Sequence, residues 1–258
     1  MDKNPANDLE EAVCGLFKEP LAFALWSNVA GRPNPGAASR IANAQAISHK
    51  TVDGRLLRGY RLKARADGTK GFVLVAQGNA MLADQLLAHL GPFAAEGYDV
   101  YIFDYRGYGN SQGKRRLKAI VSDYRELFEA LSKATEGRRL LYGISFGGIV
   151  LLNVIGAGVA YDRAVIDSSP SRVSTFGCPE RYDPVNNLPP NGSGLLIISG
   201  AQDNVVPPRD SRELLDTAQA RGAQVVRSTD FAHPFMDADA TLRQARSALI
   251  KSFLMGDR

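Results

Sequence analysis

The feature that most constrains this chain is an alternation of short apolar runs with longer stretches of helical spacing, beginning near Ala46. The apolar runs are Gly71 to Gln77, Tyr98 to Tyr105, Arg139 to Ile144, Arg163 to Asp167, Leu195 to Ser199 and Gln224 to Ser228, each bounded by turn residues. Between them, helical spacing is found over Met81 to Glu96, Ala119 to Thr135, Phe146 to Ile155, Arg209 to Arg221 and Phe235 to Leu254. Strands that are apolar on both faces and alternate with helices predict a mostly parallel twisted sheet covered by helices on both sides. Two further strand candidates, Ala46 to Thr51 and Arg55 to Ala64, flank Asp53-Gly54, a hairpin signal. The fold class read here is α/β, with about eight strands.

Residues 1 to 45 form an N-terminal extension that is less patterned. Asp8 to Trp26 is compatible with a helix interrupted by Pro20, and Gly31 to Gly36 reads as a linker. Residues 46 to 258 are read as the main domain. Its connection Ser168 to Gly194, rich in proline and polar residues, is short enough to hold at most a small cap.

Composition is ordinary for a globular protein, 45% hydrophobic and 22% charged. A net charge of +4 is too small to mark a nucleic-acid binder. The one dense basic run, Lys114-Arg115-Arg116-Leu117-Lys118, reads as a solvated helix start, with an anionic-partner patch as the alternative. Cys14 and Cys178 belong to no metal-ligand pattern, and the sequence leaves open whether they pair. No run is long enough for a membrane span and no secretory leader is visible. The expected compartment is the cytoplasm, or outside it if a leader has been removed.

Gly143-Ile144-Ser145-Phe146-Gly147 fits the G-x-S-x-G pattern, with a strand before it and a helix after it. A serine on so sharp a turn is held in a strained backbone, and glycine is needed where side chains would collide. The turn sets the hydroxyl at the carboxyl end of the sheet, near the positive end of the following helix. Serine needs a base, and the chain offers His49, His89 and His233. Only His233 lies in a loop after the last strand, from which it can reach a serine on a neighbouring strand. The acid that orients it is read as Asp203, in the turn after Leu195 to Ser199. Asp167, at the end of the preceding strand, is the other candidate. The oxyanion hole is assigned to the backbone N–H groups of Phe146 and of Asn79, in the Gln77-Gly78-Asn79-Ala80 loop.

Taken together, these residues resemble the α/β-hydrolase superfamily from about Ile47 to about Leu254. Phe103-Asp104-Tyr105-Arg106-Gly107-Tyr108-Gly109-Asn110-Ser111 is similar to the family signature Asp-x-Arg-Gly-x-Gly-x-Ser, and Gly200-Ala201-Gln202-Asp203 followed by Val206-Pro207 is similar to its acid loop. The resemblance implies a structural role for Arg106 in shaping a loop and, since relatives often insert a lid where Ser168 to Gly194 lies, a fairly open site. It also exposes a departure, Gln77 standing where relatives carry histidine before the oxyanion residue. It implies a cofactor-free serine hydrolase acting on a small-molecule ester or thioester. Peptidase or amidase activity, or a binding protein that keeps the fold without catalysis, are the competing readings.

Overall fold

The computed structural model describes residues 8–65 and 68–256. The chain divides into two compact units, Met1–Arg138 and Arg139–Arg258. The expected α/β class holds, with eight strands in a mostly parallel sheet.

In the first unit, β1 (Ala44–Lys50) and β2 (Leu56–Leu62) form the antiparallel hairpin that Asp53-Gly54 signals, Gly54 taking a φ of 86° that other residues avoid. β2 runs antiparallel to β4 (Asp99–Phe103), which pairs in parallel with β3 (Gly71–Ala76). Every residue of β3 and β4 is buried, as the continuous apolar runs require of strands covered on both faces. Among the described residues this unit also holds the helices α1 (Lys18–Ala30), α2 (Ala83–Ala95) and α3 (Leu117–Ala134).

Pro20 does not break α1, because it falls in the first turn, where its missing N–H has no intrahelical partner to lose. The N-terminal segment is tied to the rest of this unit by its acidic residues. Glu19 accepts hydrogen bonds from the backbone N–H groups of Leu117 (2.7 Å) and Cys14 (2.7 Å). Glu10 pairs with Arg55 at 2.9 Å and accepts from the N–H of Lys114 at 3.1 Å. The basic run mostly precedes α3 instead of opening it: Lys114, Arg115 and Arg116 lie before the helix, which starts at Leu117.

In the second unit, β5 (Arg138–Ile144), β6 (Arg163–Asp167), β7 (Leu195–Gly200) and β8 (Gln224–Ser228) pair in parallel in that order. The carboxyl ends lie in register, Ile144 opposite Asp167, Asp167 opposite Ile198, and Gly200 opposite Ser228. The helices are α4 (Phe146–Gly156), α5 (Pro208–Ala220) and α6 (Ala240–Met255). α6 starts five residues later than apolar spacing suggests, because the Asp239 carboxylate caps it by accepting from the N–H of Leu242 at 2.9 Å. Residues 168–194 contain no α-helix, only the 3₁₀ turns Ser174–Phe176, Glu180–Tyr182 and Pro184–Asn187. Buried Asp183 gathers them, accepting from the N–H groups of Val173 (2.8 Å) and Ser174 (2.7 Å) and from Arg172 (3.1 Å).

Candidate active site

Ser145 stands between β5 and α4 with φ 53° and ψ −115°, a left-handed conformation that costs a non-glycine residue roughly 1–3 kcal/mol. Two backbone hydrogen bonds hold it there. Its N–H donates to the carbonyl of Asp167 at 2.8 Å, and its carbonyl accepts from the N–H of Gly148 at 2.9 Å. The steric demand for glycine is visible at position 143, where a Cβ would lie 2.8 Å from the carbonyl oxygen of Gly147 and 2.9 Å from the Cα of Gly148. α4 is buried from Phe146 through Ile155, so the turn is anchored on a helix with little freedom to shift.

The His233 loop follows β8. His233 Nδ1 lies 2.9 Å from Asp203 Oδ2. A carboxylate at Nδ1 favours the tautomer with the proton there and leaves Nε2 as the basic nitrogen. Asp203 is itself fixed. Its Oδ1 accepts from the N–H groups of Val205 (2.9 Å) and Val206 (2.8 Å). Burial pushes the Asp203 pKa up, but the ring of His233 and these two N–H groups outweigh it and hold the carboxyl below its ordinary range. Gly200 makes the close approach of the two loops sterically feasible, since a Cβ there would fall 2.0 Å from the carbonyl oxygen of Phe231. No hydrogen bond joins the Ser145 hydroxyl to the His233 ring in this structure.

Asp167, the other candidate acid, is fully buried at the end of β6. Its Oδ1 accepts from Arg246 at 2.7 Å, and its Oδ2 has no hydrogen-bond partner. Burial pushes its pKa up to about 6 against the pull of Arg246 and of the His233 ring. The carboxylate bonded to the histidine is thus Asp203, and Asp167 belongs to Arg246.

Arg246 and Asp237 are not singled out by the sequence reading. Buried Arg246 donates to Asp237 Oδ1 (2.8 Å) and Oδ2 (2.9 Å) and to the carbonyl of Ala232 (2.6 Å), and it stacks 4.3 Å from the Phe231 ring centroid. Asp237 Oδ1 also accepts from the N–H of Ala232 at 2.9 Å. The residues on both sides of His233 are therefore held by one arginine–carboxylate pair. The available signal is that Arg246 shares the buried stripe of α6 with Ile250 and Leu254, four and eight residues on.

In the first unit, the Gln77 loop is braced by tyrosines. The Gln77 side chain is fully buried and donates to the carbonyl of Phe103 at 2.8 Å. The Gln77 carbonyl accepts from Tyr105 at 2.5 Å, and Asn79 Oδ1 accepts from Tyr108 at 2.6 Å. Glutamine in place of histidine therefore leaves the loop restrained. The Asn79 backbone N–H has no partner among the described residues. Arg106 is fully buried and makes paired hydrogen bonds to Asp123 and to Asp53. His49 sits on β1 beside Glu126, and His89 is exposed on α2. Among the described residues no group of three or more His, Cys, Asp or Glu could hold a metal ion. No helix there is long and apolar enough to cross a membrane.

Residues 67–174 match the family model described as serine aminopeptidase, S33. The chain is 28% identical over 237 residues to protein Rv2307c of Mycobacterium tuberculosis, covering 80% of this chain and 81% of that one. Among solved structures it is similar to the esterase Pf2001 of Pyrococcus furiosus, with TM-score 0.67 and 18% identity, covering 88% of this chain and 98% of that one. It is also similar to XC6422 of Xanthomonas campestris, described as an α/β serine hydrolase without lid. That match has TM-score 0.64 and 18% identity, covering 84% and 98% of the two chains.

Proposed function

We propose that this chain is a serine hydrolase cleaving a carboxylic ester or thioester through an acyl-enzyme, a reading supported by the family-model match over residues 67–174 and by the likeness in fold to solved α/β hydrolases. The observation that carries the reading is the pairing of His233 with a buried carboxylate, Asp203, on the same sheet edge as a serine in a strained strand-to-helix turn. Ser145 Oγ attacks the carbonyl carbon as His233 Nε2 takes its proton. The backbone N–H groups of Phe146 and Asn79 are the proposed donors to the oxyanion. Collapse expels the alcohol or thiol, which leaves with the proton from the imidazolium. The same ring then deprotonates water, which attacks the acyl-enzyme, releases the acid and restores Ser145. Asp203 stays ionised throughout and stabilises the imidazolium. No cofactor enters these steps.

The short connection of residues 168–194 and the likeness to a hydrolase described as lidless support a site open to small esters. The family-model match favours a second reading, hydrolysis of an amide at a peptide N-terminus. That match stops at residue 174, before both Asp203 and His233.

A fluorophosphonate probe tests the proposal. Wild type is expected to be labelled at Ser145, and Ser145→Ala to take no label and lose about 10⁶ in kcat. Folded wild type that resists the probe would sink the enzyme reading. Parallel assays on p-nitrophenyl esters of graded chain length and on aminoacyl p-nitroanilides separate the two readings: turnover of anilides alone favours the peptidase.

A further inference from the structure

Among the described residues of the second unit, four large apolar side chains are exposed: Phe176, Val205, Phe235 and Met236. Scattered singly, such residues need no explanation. Three of these four are not scattered. Val205 stands two residues after Asp203, and Phe235 and Met236 stand two and three residues after His233. The two loops touch. Besides the bond between His233 and Asp203, the N–H of Gln202 donates to the carbonyl of Phe231 at 3.0 Å. Val205 is 54% exposed, Phe235 37% and Met236 63%, although the Asp203 side chain beside them is buried.

Phe235 is also held in a backbone conformation that a bulky side chain disfavours. The N–H of Met236 donates to the carbonyl of His233 at 2.8 Å, closing a four-residue turn with Pro234 in second place and Phe235 in third at a φ of 70°. These are the marks of a type II turn, whose third residue is ordinarily glycine or asparagine. A large residue at positive φ persists only where its surroundings over-determine it, and such strain gathers at ligand sites. The turn by itself does not call for an aromatic ring.

Charge narrows the occupant. Residues 201–207 and 229–239 contain no lysine or arginine, and Asp230 adds an exposed carboxylate. Arg243 and Arg246, which reach the second stretch from α6, are bonded to the carbonyl and carboxylate of Asp237. An anionic group has no cation to meet on these loops. Which end of the substrate lies there follows from the proposed reaction, on which this inference rests. The imidazolium of His233 protonates the departing alcohol or thiol, so the leaving atom passes within hydrogen-bond reach of Nε2, about 3 Å. The group behind that atom extends on the His233 side.

We infer that Val205, Phe235 and Met236 bind the leaving group of the substrate, and that this group is an uncharged, apolar alcohol or thiol of several carbons.

The test fixes the acyl group as acetyl and varies the alcohol: ethyl, butyl, hexyl, and a hexyl chain ending in a carboxylate. Hydrolysis is followed by acid release, per site labelled by the fluorophosphonate. These alcohols leave equally well, and kcat/KM runs only through their release, so it reports their binding. It is expected to rise roughly twofold per methylene, or about sixteenfold from ethyl to hexyl, as for a chain half removed from water. The terminal carboxylate should abolish that gain. Phe235→Asn relaxes the turn and removes the ring. Its Tm should hold or rise, while the hexyl-to-ethyl ratio falls to about fourfold or less. Phe235→Leu keeps both the strain and an apolar side chain, and should keep most of the ratio. Val205→Ser with Met236→Ser, at exposed positions that folding tolerates, should lower the ratio to about fourfold as well. Wild type that takes no fluorophosphonate sinks the reaction, and this inference with it. Labelled wild type with a flat alcohol series overturns the inference alone. So does a carboxylate-ended ester as good as the hexyl ester, a ratio untouched by Phe235→Asn and by the double serine variant, or a ratio that the Asn and Leu variants lose alike.

Discussion

Two buried arginines, Arg106 in the first unit and Arg246 in the second, each grip two aspartates, yet the clusters are built for different ends. Around Arg106 both oxygens of Asp53 and both of Asp123 accept hydrogen bonds from the guanidinium, and Glu10 adds a third carboxylate at 3.5 Å. This joins the hairpin turn, α3, the loop after β4 and the N-terminal segment at one point. Around Arg246 one donor is spent on the carbonyl of Ala232, next to His233, and Asp167 Oδ2 is left without a partner. The same residue types make a saturated joint in one place and, in the other, a brace for the loop that holds His233, the proposed base. Removing one partner of a buried ion pair strands the others and costs about 3–5 kcal/mol. The two clusters should therefore differ less in what they contribute to stability than in what they contribute to turnover.

The largest effect is expected at Arg106. Arg106→Met strands three carboxylates and should destabilise the protein by about 5 kcal/mol, a large part of the stability of a typical domain. The measurements are urea denaturation and kcat per labelled active site. In the fraction that folds, kcat should stay within about twofold of wild type. A tenfold loss of kcat in well-folded Arg106→Met would erase the distinction between the clusters.

Arg246→Met should destabilise by about 3 kcal/mol, and it should also lower kcat of the folded enzyme by roughly 10–100-fold, because an ångström of misplacement at His233 costs about that much. KM should change little, since the arginine touches no substrate in the proposed reaction. Unchanged kcat in a folded variant would show that the His233 loop holds its shape through Asp203 alone.

How much of this was legible in the sequence depends on how local the cause is. The turn at Ser145 was legible because its glycine requirement is written within five residues. The pairing of His233 with Asp203 was legible because topology delivers both loops to the carboxyl edge of a parallel sheet. The Gly54 turn and the buried β3 and β4 were legible for similar local reasons. The Arg246 cluster was not. Asp167 and Arg246 lie 79 residues apart, and only the presence of an arginine on the apolar stripe of α6 hinted at a buried partner. The start of α6 was misread because apolar spacing runs through Phe235 and Met236, whereas Phe235 takes a φ of 70° and Asp239 caps the helix. Asp53 was read as a turn residue, and it is also half of the Arg106 joint, a tertiary contact that its turn signature conceals. The exposure of Leu21, Leu25 and Val29 on α1 is likewise a property of packing, invisible in an apolar run.

The smallest effect is a dependence on pH. Burial raises the Asp167 carboxyl to about 6, above the ordinary value of 3.8, so the native state holds a proton there that the unfolded chain has released. Its contribution to stability is fully present below about pH 3.8 and is lost as pH rises through about 6. Asp123 is also raised to about 6 by burial, with Arg106 opposing. Replacing Asp167 with Asn removes its ionisation while leaving Arg246 bonded to Asp237. The amide also keeps the volume of the side chain and a carbonyl oxygen for the arginine. The stability of Asp167→Asn relative to wild type should therefore improve by about 1–3 kcal/mol between pH 4 and 7, with the gain concentrated between those two pKa values. Urea midpoints across that range measure it. A relative stability that is flat with pH would mean that Asp167 stays ionised and is fully compensated by Arg246, in which case the second cluster is as saturated as the first and the contrast between them rests on the bond to Ala232 alone.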